Sequence, residues 1–218
     1  MSLGAAASGF GLGFALITPI GAQNAYVLRT AVRAPRPAVF TVVAIVTAID
    51  IVLIGIGALG AGAVLDGRDW LRVLLYAGGV ALLLPLGIRT LKDGLRGGDD
   101  YAAALEADQD EAGGRGITPG AVIGPVLALS LLNPHVYLDT VAILGSAIAT
   151  NDPSNRLSFT VGAMVASVIW FEFLAVLGAV VLRRYGARVA RAVDLISGVV
   201  MLVVATIFVI EAIRLISG

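Results

Sequence analysis

Apolar residues dominate this chain in long runs, and short polar stretches separate one run from the next. A helix that crosses a bilayer needs roughly 17–25 apolar residues, and more if it is tilted or broken. Six runs qualify, and they span residues 3–28, 38–65, 70–92, 118–149, 157–182 and 191–216. The pattern therefore predicts an all-α membrane protein with six transmembrane helices.

The longest polar stretch, residues 93–117, divides the six predicted helices into three plus three. It is rich in Gly, Ala, Asp and Glu, a composition typical of flexible segments that bury little apolar surface. We therefore predict a flexible acidic linker without a site. The two halves on either side of it are residues 1–92 and 118–218.

The two halves share a weak internal repeat. A shift of 119 residues aligns Phe40-Thr41-Val42 with residues 159–161, and the same shift aligns Gly79-Val80 with residues 198–199. Because each half holds an odd number of helices, the second half would insert with the opposite topology. Inverted repeats with discontinuous helices recur in secondary transporters. The sequence thus predicts an inverted 3+3 repeat in which helices 1 and 4 are broken mid-membrane.

The distribution of basic residues predicts the orientation. The connections after the first, third and fifth predicted helices, with the adjoining helix ends, hold eleven Lys and Arg residues, whereas the opposite side holds four. Positively charged connections stay in the cytoplasm, so both termini are predicted to lie outside. A re-entrant first segment would instead place the N-terminus inside.

Composition supports a membrane protein and excludes several other classes. The chain is 58% hydrophobic and 14% charged, far from the roughly 25% charged residues of a soluble domain. It has no Cys and one His, which argues against thiolate or His-rich metal sites, and we predict neither a metal nor a cofactor. Its net charge is zero and no basic stripe is present, which argues against nucleic acid as a partner.

The fourth apolar run is interrupted by the sequence Asn133-Pro134-His135-Val136-Tyr137-Leu138-Asp139. Pro134 has no N–H and its ring clashes with the carbonyl four residues back, so a straight helix is not expected. Asn133 could cap a second half-helix whose N-terminus, with its partial positive charge, would suit a carboxylate. His135 and Asp139 are four residues apart and so share one face. Alternatively, this is a proline kink in which these two side chains bond each other.

The first run contains a similar polar interruption, from Thr18-Pro19 to Tyr26. We expect Thr18 to cap and Pro19 to open a second half-helix here. Gln23 and Asn24 offer donors and acceptors able to hold the ammonium and carboxylate of a zwitterion. They could equally form hydrogen bonds between helices.

Three acids lie deep in predicted helices: Asp50, Asp139 and Glu172. An ionisable group at membrane depth is costly, so it usually marks a pathway or a site. Acids together with a helix N-terminus favour a solute that carries a carboxylate and an extra positive charge. A basic amino acid fits this description, although polyamines and metal cations remain open.

Simpler explanations exist for some of the acids. Asp50 could form a static salt bridge with Arg89 or Lys92 of the next helix. Asp194 lies nearer a helix end, three residues from Arg191, and we predict a surface ion pair there rather than a site.

The chain resembles the lysine/arginine exporter family of bacterial inner membranes. The match is carried by the segment Gly21-Ala22-Gln23-Asn24-Ala25-Tyr26-Val27-Leu28-Arg29, by Asp50, and by the segment from Asn133 to Thr140. The resemblance implies proton-motive-force-driven export of L-lysine, L-arginine or both, and no enzymatic activity. It implies substrate binding by Gln23, Asn24, Asn133, His135 and Asp139, with Asp50 and Asp139 for the cation or the proton. Glu172 departs from the family pattern and is predicted to add a cation contact or to shift the substrate range.

Rival functions remain at this point. Homoserine/threonine exporters typically show a Pro-Gly-Pro-Asn turn and an Asn-Pro-Lys sequence, whereas residues 21–24 and His135 point to the basic branch. Metal-cation export would need more ligands. A membrane enzyme would use His135 and Asp139 as an acid–base pair, but no nucleophile accompanies them. The predicted partners are a small amino acid and the lipid bilayer, and small-residue helix faces are compatible with a homodimer.

Overall fold

The computed structural model describes residues 2–19, 21–59, 69–109, 116–133 and 136–217. These residues are almost entirely helical and contain no strand, so the predicted all-α class is confirmed for them. The helices are α1 (Leu3–Ile17), α2 (Ala22–Arg33), α3 (Arg36–Ala58), α4 (Asp69–Leu95), α5 (Gly98–Gln109), α6 (Pro119–Leu131), a π-helix (Tyr137–Leu144), α7 (Gly145–Thr150) and α8 (Pro153–Ser217).

The last helix is divided by a single residue. Gly186 adopts φ 61° and ψ −157°, a conformation that only a residue without a side chain adopts readily. We refer to Pro153–Val180 as the first arm of α8 and to Arg184–Ile216, which contains Gly186 close to its start, as its second arm.

Four helical segments are long and apolar enough to span a membrane, judged by length and composition: α3, Val73–Leu95 of α4, and the two arms of α8. A fifth candidate is the pair α1 and α2, which meet at an angle of 83°. Two shorter apolar helices, Pro119–Leu131 and Tyr137–Thr150, lie where the fourth span is predicted. The described residues thus support a multi-span membrane protein with four or five candidate spans, and six spans remain a prediction.

Glycine permits close helix contacts near both broken segments. A Cβ on Gly57 of α3 would lie 2.8 Å from the Thr140 carbonyl oxygen and 3.1 Å from the Cα of Val141. A Cβ on Gly178, in the first arm of α8, would clash with Ala31 of α2. Small residues of this kind let membrane helices approach to backbone contact. Both broken segments are therefore packed tightly against an unbroken helix.

The segment predicted to be a flexible linker contains a docked helix. α5 occupies Gly98–Gln109, and its side chains Tyr101 and Leu105 are buried together with Val32 and Ala190. Tyr101 and Leu105 lie four residues apart and so form one apolar face on an otherwise acidic helix. The acidic composition gave no indication of this apolar face. The predicted linker thus contains a helix, its flexibility stays a prediction, and residues 110–115 lie outside the described ranges.

Candidate functional site

A cavity of about 230 Å³ lies between the α1–α2 break, α3, the start of the π-helix and both arms of α8. Its polar lining residues are Gln23, Asn24, Asp50, Asn133, Asp139 and Thr140. Five predicted site residues therefore meet at one cavity although they come from three separate parts of the sequence.

The break between α1 and α2 differs in detail from the prediction. The Thr18 hydroxyl donates to the Phe14 carbonyl oxygen at 2.6 Å, so Thr18 ends α1 instead of capping α2. α2 begins at Ala22 after an extended Gly21, and Pro19 lies in the turn between the helices. A threonine hydroxyl commonly bonds the carbonyl four residues back, which explains why Thr18 belongs to the preceding helix.

Asn24 stabilises this break. Its amide nitrogen donates to the carbonyl oxygens of Ile17 at 2.8 Å and Pro19 at 2.9 Å. The indole N–H of Trp170 donates to the Asn24 amide oxygen at 3.3 Å. The last carbonyls of a helix lack intrahelical hydrogen-bond donors. The Asn24 amide supplies a donor to the carbonyl of Ile17, the last residue of α1. Both amide hydrogens are used in these bonds, which correspond to the alternative hydrogen-bonding role considered for Asn24; its contact with a substrate stays a prediction.

The N-terminus of α2 lines the cavity without a side-chain cap. Gly21 is its N-cap residue and has no side chain to accept from the first N–H groups, and Gly21, Ala22 and Gln23 all border the cavity. The first N–H groups of a helix have no intrahelical partners, and the helix dipole places partial positive charge there. This end of α2 is therefore suited to an anionic group such as a carboxylate.

Asp50 is buried at the cavity wall and is 3% exposed. The Ser167 hydroxyl donates to its Oδ2 atom at 3.2 Å, and the Gln23 side chain is a second neutral hydrogen-bonding partner. Arg89 and Lys92, the basic partners considered from the sequence, are exposed on α4, and no ion pair joins either to Asp50 among the described side chains. Asp50 therefore has neutral partners in a buried environment.

Asp139 lies on the π-helix and lines the same cavity. Tyr137 ties this element to α6, since its hydroxyl donates to the Leu131 carbonyl oxygen at 2.8 Å. The Thr140 hydroxyl donates to the Val136 carbonyl oxygen. Short π-helical segments occur frequently at functional sites, and neither apolar periodicity nor the proline predicts one here.

Two predicted residues of this segment, Pro134 and His135, lie outside the described residues, so the proposed capping by Pro134 and the pairing of His135 with Asp139 stay predictions. Asn133, which precedes them, borders the cavity.

Glu172 lies away from the central cavity. Its neighbour Phe171 is buried and lines that cavity, whereas Glu172 is exposed and borders a second cavity of about 390 Å³ together with Arg36. Successive helical residues point about 100° apart, so depth along a helix does not determine which side a residue faces. The structure therefore separates Glu172 from Asp50 and Asp139.

Asp194 does not form the predicted surface ion pair. It is fully buried, and Arg191 instead donates from Nε to the Gly94 carbonyl oxygen at 2.7 Å. The partners of Asp194 are Arg29, at 3.1 Å, and Arg33, at 2.5 Å. The spacing of these two arginines, four residues apart on α2, was the available sequence signal for an acidic partner.

Two residues of the first arm of α8 complete the cavity region and were not identified as site residues from the sequence. Ser167 bonds Asp50, and Trp170 bonds Asn24. They are three residues apart, hence on one face, and both carry polar hydrogens in an apolar run. Two polar side chains on one face of an apolar helix were the sequence signal that could have identified them as site residues.

Residues 14–212 match the family model described as LysE type translocator. The chain belongs to this family. Among its relatives, a protein named "Putative amino-acid transporter YggA" from Aeromonas salmonicida is 40% identical over 89% of this chain and 90% of its own length. "Arginine exporter protein ArgO" from Salmonella enteritidis PT4 is 37% identical over 90% of this chain and 89% of its own length. The protein of the same name from Salmonella typhimurium is also 37% identical over the same shares.

No solved structure matches the chain. Membership in the LysE type translocator family, together with the apolar helices, identifies a multi-pass protein of the bacterial inner membrane. It also places the central cavity in a family of translocators, so the polar residues that line it are candidates for contact with a transported solute.

Proposed function

We propose that this LysE type translocator is a secondary active exporter of basic amino acids, with L-arginine as the leading substrate and L-lysine as the second. The observation that carries the proposal is the central cavity, where the uncapped N-terminus of α2 meets the carboxylates of Asp50 and Asp139. The family match and the relatives named as arginine exporters support the substrate class.

The two charged groups of a basic amino acid suit two kinds of group in the cavity lining, the uncapped N-terminus of α2 and the aspartates. The substrate carboxylate binds at the N–H groups of Ala22 and Gln23, where the dipole of α2 favours negative charge. The guanidinium or ammonium binds toward Asp50 and Asp139. This pose moves the carboxylate from the Pro134 half-helix, where the sequence placed it, to α2. Asn133 borders the same space, and His135 keeps its predicted role beside Asp139.

Asp50 is the proposed coupling residue. Export of a cation opposes an inside-negative potential by about 2.3 kcal/mol per charge per 100 mV, so net export needs proton influx or an equivalent exchange. A buried carboxylate with neutral partners can alternate between a proton and a cationic substrate without breaking a salt bridge. Glu172, on the other side of the first arm of α8, is assigned no role in this step.

A six-span inverted repeat is the architecture we propose for alternating access. α1 with α2 would form the first broken span, and α6 with the segment Tyr137–Thr150 would form the fourth. In support, Gly57 packs on the second broken segment and Gly178 packs on α2, and the predicted 119-residue shift relates these two glycines to within two residues. Rocking one half against the other would expose the cavity to each side in turn, with both termini outside.

Two rival substrates are less well supported. A neutral amino acid of the homoserine/threonine type has no side-chain cation to compensate Asp50, whose hydrogen-bonding partners are neutral. For a metal cation, the described residues contain no group of three or more His, Cys, Asp or Glu side chains placed to hold it. A homodimer remains compatible, but the small-residue contacts described above lie within the chain.

The proposal is tested by counterflow in proteoliposomes. Purified protein is reconstituted with unlabelled L-arginine, L-lysine, L-threonine or cadmium inside, and the uptake of labelled L-arginine is followed. We expect uptake with arginine or lysine inside and none with threonine or cadmium. Equal uptake with threonine inside would contradict the basic amino acid assignment, and the exposed Glu106→Gln variant serves as the control for a lost surface charge.

A further inference from the structure

A buried group of charged residues surrounds the far end of α2. We call it the ion cluster, and it consists of Arg29, Arg33, Asp93, Asp108, Asp194 and Tyr101. Arg29 bonds Asp93 at 2.9 Å and Asp194 at 3.1 Å. Arg33 bonds Asp194 at 2.5 Å and Asp108 at 2.6 Å. None of these side chains lines the central cavity.

The ion cluster joins four separate elements. The arginines belong to α2, Asp93 to α4, Asp108 and Tyr101 to α5, and Asp194 to the second arm of α8. Tyr101 adds a hydrogen bond, since its hydroxyl donates to Asp194 at 2.9 Å, and its ring lies 5.4 Å from the Arg33 guanidinium. Burial, followed by the nearby Asp194 carboxylate, raises the pKa of Tyr101 above its usual range, so the hydroxyl stays a donor.

α2 connects this cluster directly to the substrate cavity. Its first residues line the cavity, and its last turn carries Arg33. The helix has 12 residues and is therefore about 18 Å long. The second arm of α8 also contributes to both places, through Val204 at the cavity and Asp194 in the cluster. The cluster thus holds together, at one end, helices that form the cavity wall.

The attachment of α5 is narrow. Tyr101 and Leu105 pack in a small apolar cluster with Val32 and Ala190. Tyr101 also contacts Asp194 and Arg33, and Asp108 forms an ion pair with Arg33. Asp108 is the most exposed carboxylate around Arg33, with 29% of its side chain accessible, so water reaches this edge of the cluster first.

Buried charges favour two discrete states over intermediate ones. Removing one partner from a buried ion network leaves an uncompensated charge, which is costly, whereas opening the whole network to water restores hydration to every member. A cluster of this kind therefore opens as a unit or stays closed, which is the behaviour of a two-state element.

We propose that α5 and the ion cluster form a latch that closes the transport path at the α2 C-terminal end, and that the latch opens once in each transport cycle. The direction rests on the proposed function: this end carries the basic connections predicted to face the cytoplasm, so the latch would admit substrate from inside the cell. The opposing possibility is a permanent structural clamp.

Disulfide cross-linking distinguishes the latch from a clamp. Because the chain has no native Cys, only the introduced Cys residues can react. Leu105→Cys is combined with Ala190→Cys, two members of the same apolar cluster, and arginine counterflow is measured before oxidation, after oxidation and after reduction. A latch predicts a loss of about tenfold or more on oxidation, in proportion to the thiols consumed, and recovery on reduction. Unchanged counterflow with the thiols consumed would overturn the proposal. Each single-Cys variant controls for oxidation itself.

A second measurement does not depend on transport. The rate of maleimide labelling of Leu105→Cys is compared alone, with Asp108→Asn, and with Glu106→Gln, a neighbouring exposed acid on α5. A latch predicts labelling about tenfold faster with Asp108→Asn and unchanged with Glu106→Gln, because Asp108 bonds Arg33 whereas Glu106 is exposed. Equal rates in all three would overturn the latch. If counterflow fails even before oxidation, the proposed function fails while the labelling comparison still decides the latch.

Discussion

The two ends of α2 hold buried aspartates in opposite ways. At the cavity, Asp50 is bonded by the neutral side chains of Ser167 and Gln23. At the other end, Asp194 is bonded by Arg29 and Arg33 as well as by Tyr101. Burial is nearly equal, with Asp50 3% exposed and Asp194 0%.

This difference distinguishes a buried carboxylate that can bind a solute from one that stabilises the fold. A carboxylate with cationic partners has its charge compensated by the fold, so removing it harms the folded state. A carboxylate that the fold leaves with neutral partners is compensated only by a proton or a bound cation, so it is available to a solute. Burial alone does not make this distinction; the identity of the partners does.

The largest expected effect is on stability at Asp194. Asp194→Asn leaves Arg29 and Arg33 buried without their shared carboxylate, which costs about 3–5 kcal/mol for a broken buried ion pair. We expect a large fall in the thermal unfolding midpoint in detergent. Asp50→Asn, measured alongside, should change the midpoint little, since no cation loses a partner. Equal destabilisation by both variants would remove the contrast between the two ends.

The next effect is on transport at Asp50. Asp50→Asn keeps the hydrogen-bonding shape but can neither carry a proton nor compensate a cation, so pH-gradient-driven arginine transport should fall by on the order of 100-fold. The measurement is labelled arginine flux in proteoliposomes with and without an imposed proton gradient. Coupled flux that matches the unmodified protein would exclude Asp50 from coupling. Asp139→Asn tests the second carboxylate in the same assay.

A smaller effect is expected at the α1–α2 break. Asn24→Ala removes the donors to the Ile17 and Pro19 carbonyls, and unsatisfied buried groups cost about 1–3 kcal/mol. The expected signature is a lowered unfolding midpoint together with a general loss of flux for arginine and lysine alike. Gln23→Ala, at the preceding position, is the comparison variant. A change of substrate preference in Asn24→Ala without loss of stability would argue for direct substrate contact.

The smallest effect is expected at Tyr101. Tyr101→Phe deletes one hydrogen bond to a carboxylate but leaves the ring over Arg33, so stability should fall by about 1 kcal/mol. Thermal unfolding of the purified variant measures this. A loss as large as that of Asp194→Asn would mean that the hydroxyl, rather than the arginines, holds the ion cluster together.

Local signals in the sequence predicted the helical class, the interrupted segments and the acids that meet at the cavity. Apolar length indicates spans, and a proline among polar residues, such as Pro19, indicates an interruption, so neither feature needs tertiary information. Proline alone is not sufficient, because Pro85 and Pro125 lie inside helices. The detailed roles at the first break were different. Thr18 bonds the Phe14 carbonyl within α1, and Asn24 bonds the Ile17 carbonyl, which the bent geometry brings near.

Features that depend on which side a residue faces could not be predicted in this way. Glu172 was grouped with Asp50 by depth, yet one helical step separates it from the cavity-lining Phe171. Asp194 finds its arginine partners more than 160 positions away in the chain. The docking of α5 depends on Tyr101 and Leu105, two buried side chains within an acidic segment. Each case requires knowledge of tertiary neighbours.

The central claim is that one cavity recognises both the carboxylate and the side-chain cation of its substrate. The most direct measurement is competition against labelled L-arginine in proteoliposomes by L-lysine, by agmatine, which lacks the carboxylate, and by L-citrulline, which lacks the cation. The account predicts that L-lysine competes well, and that agmatine and L-citrulline both compete poorly. Competition by L-citrulline as strong as that by L-lysine would contradict a role for Asp50 and Asp139 in binding the substrate cation.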